Sequence, residues 1–212
     1  MNTNKNSYII IYSAVLVIVV AFLLAYIFQA LKPMQDVNVA LDKKKQILAA
    51  LNIRELGDVE SAEKYKEVVK ADMIVDANAQ VIEAGEQGGE KAAFKLNSAD
   101  YKAGKLAVYV CEVDGKTKYV IPVYGMGLWG PIWGYISLDE DKNTVFGAYF
   151  NHDSETAGLG AEIKDSKAWQ EQVKGKTVFA ADGKEIAIAV KKKSDVKNPA
   201  SECDAVTGAT LT

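Results

Sequence analysis

Histidine and cysteine are scarce in this 212-residue chain: His152 is the one histidine, and Cys111 and Cys203 are the two cysteines. A single imidazole excludes a multi-histidine metal centre. Two cysteines far apart, with no paired spacing, exclude a zinc or iron–sulfur site built within the chain. Cys111 sits in the strand-like run LAVYVCEV, where a buried small hydrophobe is expected; a disulfide to Cys203 in an oxidising compartment is the alternative. A basic surplus is also missing. Lys and Arg number 25 against 28 Asp and Glu, a formal net charge of −3, so there is no basic patch of the kind nucleic acid requires. Internal repeats and low-complexity tracts are absent. No strand-to-helix nucleotide unit headed by Gly-x-Gly-x-x-Gly is read, so no dinucleotide site is expected. No catalytic residue and no metal ligand is assigned.

Charge is absent too from Tyr8 to Leu31, YIIIYSAVLVIVVAFLLAYIFQAL. At 1.5 Å per residue this stretch can cross a hydrocarbon core of about 30 Å. Tyr8, Tyr12 and Tyr26 lie towards its ends, where aromatic rings favour the interface. Its apolar core is longer than that of a signal peptide and no small-residue cleavage site follows, which predicts a retained single-span anchor. With no charged residue in the span, it offers no ion path by itself.

What remains after the anchor is enough for one domain with a sizeable core. Val37, Leu41, Leu48 and Leu51 recur at helical spacing, and Pro33 is expected to break the helix before them. A second helix is expected over about Ser61 to Ala71, then a strand in MIVDANAQVIE, and a surface loop at Gln87-Gly88-Gly89-Glu90. Leu106–Val113 and Tyr119–Tyr124 flank Asp114-Gly115, a strong hairpin signal. Tyr135–Leu138 and Val145–Phe150 flank the polar turn DEDKN. A short helix is expected around Ser166 to Val173, and a further hairpin over Thr177–Ala180 and Lys184–Val190. Hairpins with grouped helices predict an α+β domain on an antiparallel sheet. The expected division is an anchor over 1–32, a helical linker over 33–72, and a sheet domain over 73–212.

Three motifs carry chemistry. Gly125-Met126-Gly127-Leu128-Trp129-Gly130-Pro131-Ile132-Trp133-Gly134 reads as a Gly/Trp loop between strands, and Asn151-His152-Asp153-Ser154-Glu155-Thr156-Ala157-Gly158-Leu159-Gly160 as a loop after one. Asp204-Ala205-Val206-Thr207-Gly208-Ala209-Thr210 lies near the carboxyl terminus. The third resembles the signal by which a periplasmic flavin transferase joins FMN to a threonine hydroxyl. With Trp169 and Gly175-Lys176, the set resembles the C subunit of the sodium-translocating NADH:quinone reductase, whose nearest sibling family is the G subunit of the Rnf electron-transport complex. Relatives commonly have Pro where Ala157 stands here, and usually continue past the two residues that follow Thr210.

That resemblance implies FMN in phosphoester linkage to Thr210, with Asp204, Thr207, Gly208 and Ala209 as the recognition frame. It also implies a relay of electrons within a membrane complex, with the other subunits and a magnesium-dependent FMN transferase as partners. From the residues themselves, glycines at 125, 127, 130 and 134 let backbone approach a flat ligand and reach positive φ. Leu128, Trp129, Trp133 or Leu159 could cover a ring face. Glu155 and Thr156 offer hydrogen-bonding groups, and Gly158 and Gly160 a close backbone approach. His152 is expected to order its loop through Glu155 rather than to act as a base. Topology is in conflict: Lys32 and Lys43–Lys45 outnumber Lys5, which favours a cytoplasmic domain, whereas the attachment signal implies the periplasmic side of the bacterial inner membrane. The periplasmic placement is preferred here. An Rnf-type subunit, a stand-alone exported flavoprotein reductase and an assembly subunit without flavin are the alternatives.

Overall fold

The computed structural model describes residues 6–206, so Thr207, Gly208, Ala209 and Thr210 lie outside the described residues. The chain forms two compact units, which divide after Asp42. Within the first, residues 6–42 are helical, part of α1 (Asn6–Ala50), which is long and apolar enough to cross a membrane by length and composition. Pro33 does not break α1, contrary to expectation. A proline removes one backbone donor, and Lys32 and its neighbours are solvent-exposed, so water can satisfy the freed carbonyl.

The second unit begins at Lys43, inside the expected linker. Its core is a six-stranded antiparallel sheet of β1 (Val69–Val75), β2 (Val81–Glu83), β3 (Leu106–Val113), β4 (Lys116–Met126), β5 (Pro131–Leu138) and β6 (Val145–His152), in the order β2-β1-β3-β4-β5-β6. The two hairpins at its centre follow the expected turns. Asp114 and Gly115 both have positive φ, as a two-residue type I′ turn requires. At the β5–β6 turn the Asp141 carboxylate accepts from Asn143 N and Thr144 N, each at 2.9 Å, and from Thr144 Oγ1 at 2.6 Å.

The sheet is covered on both faces, which is why β5 reads as an almost continuous apolar run. Trp133, Tyr135 and Ser137 face the end of α1: Trp133 Nε1 donates to Gln46 Oε1 at 3.3 Å and Ser137 Oγ to the Ala50 carbonyl at 2.6 Å. Ile47, Leu48 and Leu51 pack there with Tyr65, from α2 (Asp58–Val68), and Tyr109. Ile136 and Leu138 point the other way, into a smaller cluster with Val145, Val173 and Cys203. Cys111 and Cys203 are thus buried in different clusters and both are free.

Three local expectations need correction. MIVDANAQVIE is two strands, because Asp76 Oδ1 accepts from Asn78 N and Gln80 N and turns the chain back on itself. The Gln87–Glu90 loop is on the surface only in part: Gln87 is exposed, but Gly89 is buried, and its carbonyl accepts from Tyr65 Oη at 2.8 Å. The last expected hairpin shrinks to one antiparallel bridge, Phe179 to Ile186. Residues 189–191 form β7 (Ala189–Lys191), which pairs in parallel with β8 (Glu202–Asp204). Glu202 closes that crossover by accepting from Lys191 Nζ, Lys197 N and Asn198 N. The remaining helices are α3 (Ser98–Lys102), α4 (Glu162–Asp165) and α5 (Lys167–Glu171).

Candidate functional site: an apolar cleft beside the carboxyl-terminal motif

Between the outer part of the β4–β5 hairpin and the β7–β8 pair lies an open cleft of about 380 Å³. Its wall is aromatic and aliphatic: Tyr124, Met126, Ile132, Trp133, Phe150, Ile163 and Trp169 line it, and Cys203, Ala205 and Val206 bring the carboxyl-terminal strand to its edge. Phe150 and Trp169 meet edge to face, with ring centroids 5.6 Å apart. Glu155 is the one charged residue of the wall among the described residues.

The start of the carboxyl-terminal motif is fixed beside the cleft. Trp169 Nε1 donates to the Asp204 carbonyl at 2.8 Å, Asp204 N to Gln172 Oε1 at 3.3 Å, and Ala205 N to the Lys191 carbonyl at 2.7 Å. Burial raises the Cys203 thiol, so it stands here as a neutral wall group.

The two glycine-bearing loops meet at Glu155. Its Oε1 accepts from Trp129 N at 3.1 Å, and its own N donates to His152 Nδ1 at 3.2 Å. The expectation that His152 orders this loop through Glu155 therefore holds, through the backbone of Glu155. A Cβ on Gly127 would lie 2.2 Å from Glu155 Oε1, and one on Gly160 2.4 Å from Oε2. None of Gly125, Gly127, Gly130 and Gly134 has positive φ, a correction to the sequence reading. Gly127 makes room for a carboxylate and Gly134 for the Tyr149 carbonyl, 2.3 Å from where its Cβ would stand. Gly158 differs: its φ is +73° in open space.

The carboxyl-terminal part of the chain, residues 127–212, matches the FMN-binding domain family. The C subunit of the Na(+)-translocating NADH-quinone reductase of Haemophilus ducreyi is 32% identical over 197 residues, covering 86% of this chain and 75% of that protein. The chain belongs to the family of the C subunit of the sodium-translocating NADH-quinone reductase. The corresponding Pseudomonas aeruginosa protein is 32% identical over 210 residues, 86% of this chain and 77% of that protein. Among solved structures, the C subunit from Parabacteroides distasonis superposes with a TM-score of 0.76 at 36% identity, covering 84% of this chain and 85% of that one. NqrC of Shewanella oneidensis gives 0.65 at 25% identity, covering 82% and 87%. The family and the antiparallel α+β fold expected from the sequence are both borne out, and the family is that of an oxidoreductase complex, in which this chain is one subunit among others.

Within the family's fold, the expected site residues separate. Glu155 and Gly160 wall the cleft, and Asp204 is pinned at its edge. Thr156 closes the loop by accepting from Leu159 N and Ala161 N. Leu128, Trp129 and Leu159 are 55%, 65% and 43% exposed and do not line the cleft. Trp133 does line it. Sequence reasoning missed Tyr124, Met126, Phe150, Ile163, Trp169 as a wall, and Val206. Trp169 was visible as a motif member, but its contact with Asp204 bridges helix and strand and has no local signal. Gly125, Gly127 and Gly130 do satisfy Gly-x-Gly-x-x-Gly letter by letter; they sit in an antiparallel hairpin rather than between a strand and a helix, the wrong context for a dinucleotide. No cluster of metal-ligating side chains occurs among the described residues.

The cleft fits a flavin ring better than a whole free nucleotide. Its volume is in the range of small-molecule sites, and flat apolar walls suit the ring. A phosphate would find no cation on the wall.

Proposed function

We propose that this chain carries FMN covalently, as a phosphoester on Thr210, with the ring in the cleft, and relays electrons within a sodium-translocating NADH-quinone reductase. The bound flavin would supply reversible acceptance of one or two electrons. Ile132 and Ile136 exclude water from one side of the ring, and Phe150, Ile163 and Trp169 from another. Leu128, Trp129, Thr156, Gly158 and Leu159 remain candidate contacts next to that wall, and Thr207, Gly208 and Ala209 the frame read by a magnesium-dependent FMN transferase.

One observation carries the reading: Asp204 to Val206 is hydrogen-bonded in place at the edge of an apolar cleft that has no cation for a phosphate. Thr210 follows Val206 by four residues, a reach of at most about 14 Å. A phosphoester there removes the need for a cationic cradle. Replacing Thr210 by Ala should abolish covalent flavin while leaving the folded unit intact. In-gel flavin fluorescence after denaturation and mass spectrometry read the result; an adduct that persists on the Ala variant, or maps to Thr207 or Thr212, defeats the assignment.

The same reading makes residues 8–31 a membrane anchor in the bacterial inner membrane with the folded unit on the periplasmic side, where the transferase acts. A carboxyl-terminal reporter active only in the cytoplasm should be silent in the intact protein. An active fusion would reverse both topology and attachment route.

A further inference from the structure

We propose that Glu155 is a positioning residue that sets the redox potential of the flavin site, by locking the two loops of the cleft together and holding one fixed negative charge on its wall. The inference rests on the reading that FMN occupies the cleft.

One carboxylate oxygen is hydrogen-bonded to the protein and the other is packed against it. Oε1 accepts from Trp129 N at 3.1 Å, and a Cβ on Gly127 would come within 2.2 Å of it. Oε2 lies where a Cβ on Gly160 would come within 2.4 Å. The hairpin tip is closed on itself by Gly127 N donating to the Gly130 carbonyl at 2.7 Å, so fixing Trp129 fixes the tip. On its other side Glu155 is held by His152 Nδ1 and by the turn from Thr156 to Ala161. A side chain so engaged is placed to orient the wall rather than to wrap a ligand.

Its charge then matters because of what surrounds it. Every other residue of the cleft wall among the described residues is uncharged. In such surroundings a carboxylate interacts with a nearby charge far more strongly than it does in water. Each electron that reaches the ring comes from a redox centre elsewhere in the complex and leaves to a further one, with no bond to this chain made or broken. While it resides there, negative charge builds up beside Glu155. The carboxylate disfavours that state, so it lowers the midpoint potential.

The test uses the full-length chain, flavinylated in the cell and held in detergent micelles. Glu155→Gln keeps the side-chain length and an oxygen able to accept from Trp129 N, and removes the charge. We expect an unchanged covalent flavin load, an unchanged melting temperature and a midpoint potential shifted to more positive values. Met126→Lys adds a cation on the cleft wall at an exposed position with Glu155 in place; it should shift the midpoint the same way, with Met126→Gln as the neutral control. An unmoved midpoint in fully loaded Glu155→Gln overturns the proposal. Loss of flavin load in a stably folded Glu155→Gln also overturns it, by moving Glu155 from tuning to attachment. If Glu155→Gln does not fold, Met126→Lys decides, and an unmoved midpoint there overturns it. A wild-type chain with no covalent flavin would instead count against the proposed function itself.

Discussion

Asp72 and Glu155 perform the same local task in different surroundings. Asp72, on β1, is fully buried and accepts from Ala92 N at 2.7 Å, Phe94 N at 3.1 Å and Glu86 N at 3.4 Å, pinning the loop between β2 and α3. A glycine gives it room: a Cβ on Gly85 would meet Asp72 Oδ1 at 2.6 Å. Glu155 holds two loops in the same way, with Gly127 and Gly160 in the part of Gly85. The difference is access. One carboxylate is sealed in the core, so its charge can act only on stability. The other stands on the wall of a cleft, so whatever enters feels it. A carboxylate braced on glycines is a structural device first, and its position decides whether it is also functional.

The largest effect that would sharpen this comparison is expected at Asp72. Asp72→Ala strands backbone donors of Ala92 and Phe94 and should cost at least about 3 kcal/mol in denaturant unfolding, while the flavin spectrum of the molecules that stay folded is unchanged. A changed flavin spectrum in folded Asp72→Ala would erase the distinction between the two sites. Next come the neighbouring glycines. Gly160→Ala must push Glu155 aside and should cost about 1–3 kcal/mol, with an altered flavin absorption spectrum. Gly158→Ala meets only a strained φ in open space and should cost about 1 kcal/mol, with a smaller spectral change than Gly160→Ala. Equal spectra in both variants would show that Glu155 does not shape the site.

The smallest effect belongs to a third carboxylate of this kind. Asp141 braces the β5–β6 turn in solvent, and hydrogen bonds from the Thr144 hydroxyl, Thr144 N and Asn143 N hold its pKa below the ordinary carboxylate range. A lowered folded-state value stabilises above the unfolded value of 3.8 and is lost as pH falls below it. Asp141→Ala should cost less than about 1 kcal/mol near neutrality, since water screens an exposed charge, and the gap to wild type should close in acid unfolding below that pH. A gap that persists there would mean the turn is held by something other than the charge.

What could be read from the sequence followed the range of the interaction. The Asp114-Gly115 hairpin and the β5–β6 turn were legible because adjacent residues dictate them. So was the long apolar helix, except at Pro33, where neighbouring helix formers and exposure outweighed one missing donor. The fate of residues 177–204 was not legible, because β7 meets β8 only through a crossover closed by Glu202. At the site, the motif residues drew attention to the loops that meet at Glu155. They misled on why the glycines are there: the pattern shows glycine, and only the fold shows that Glu155 fills the space.

The cleft draws its wall from six stretches of chain, the first around Val123 and the last around Val206. Closing contacts between stretches so far apart is slow, because the ordering entropy of everything between them comes first. The central hairpins form from neighbouring segments and can do so early. The cleft is therefore among the last features to appear during folding, and a chain that has collapsed but not docked β8 presents a half-walled cleft. Cofactor loading then reports on the completion of folding as well as on the presence of the acceptor, so a folding-defective variant would be seen first as a deficit of flavin.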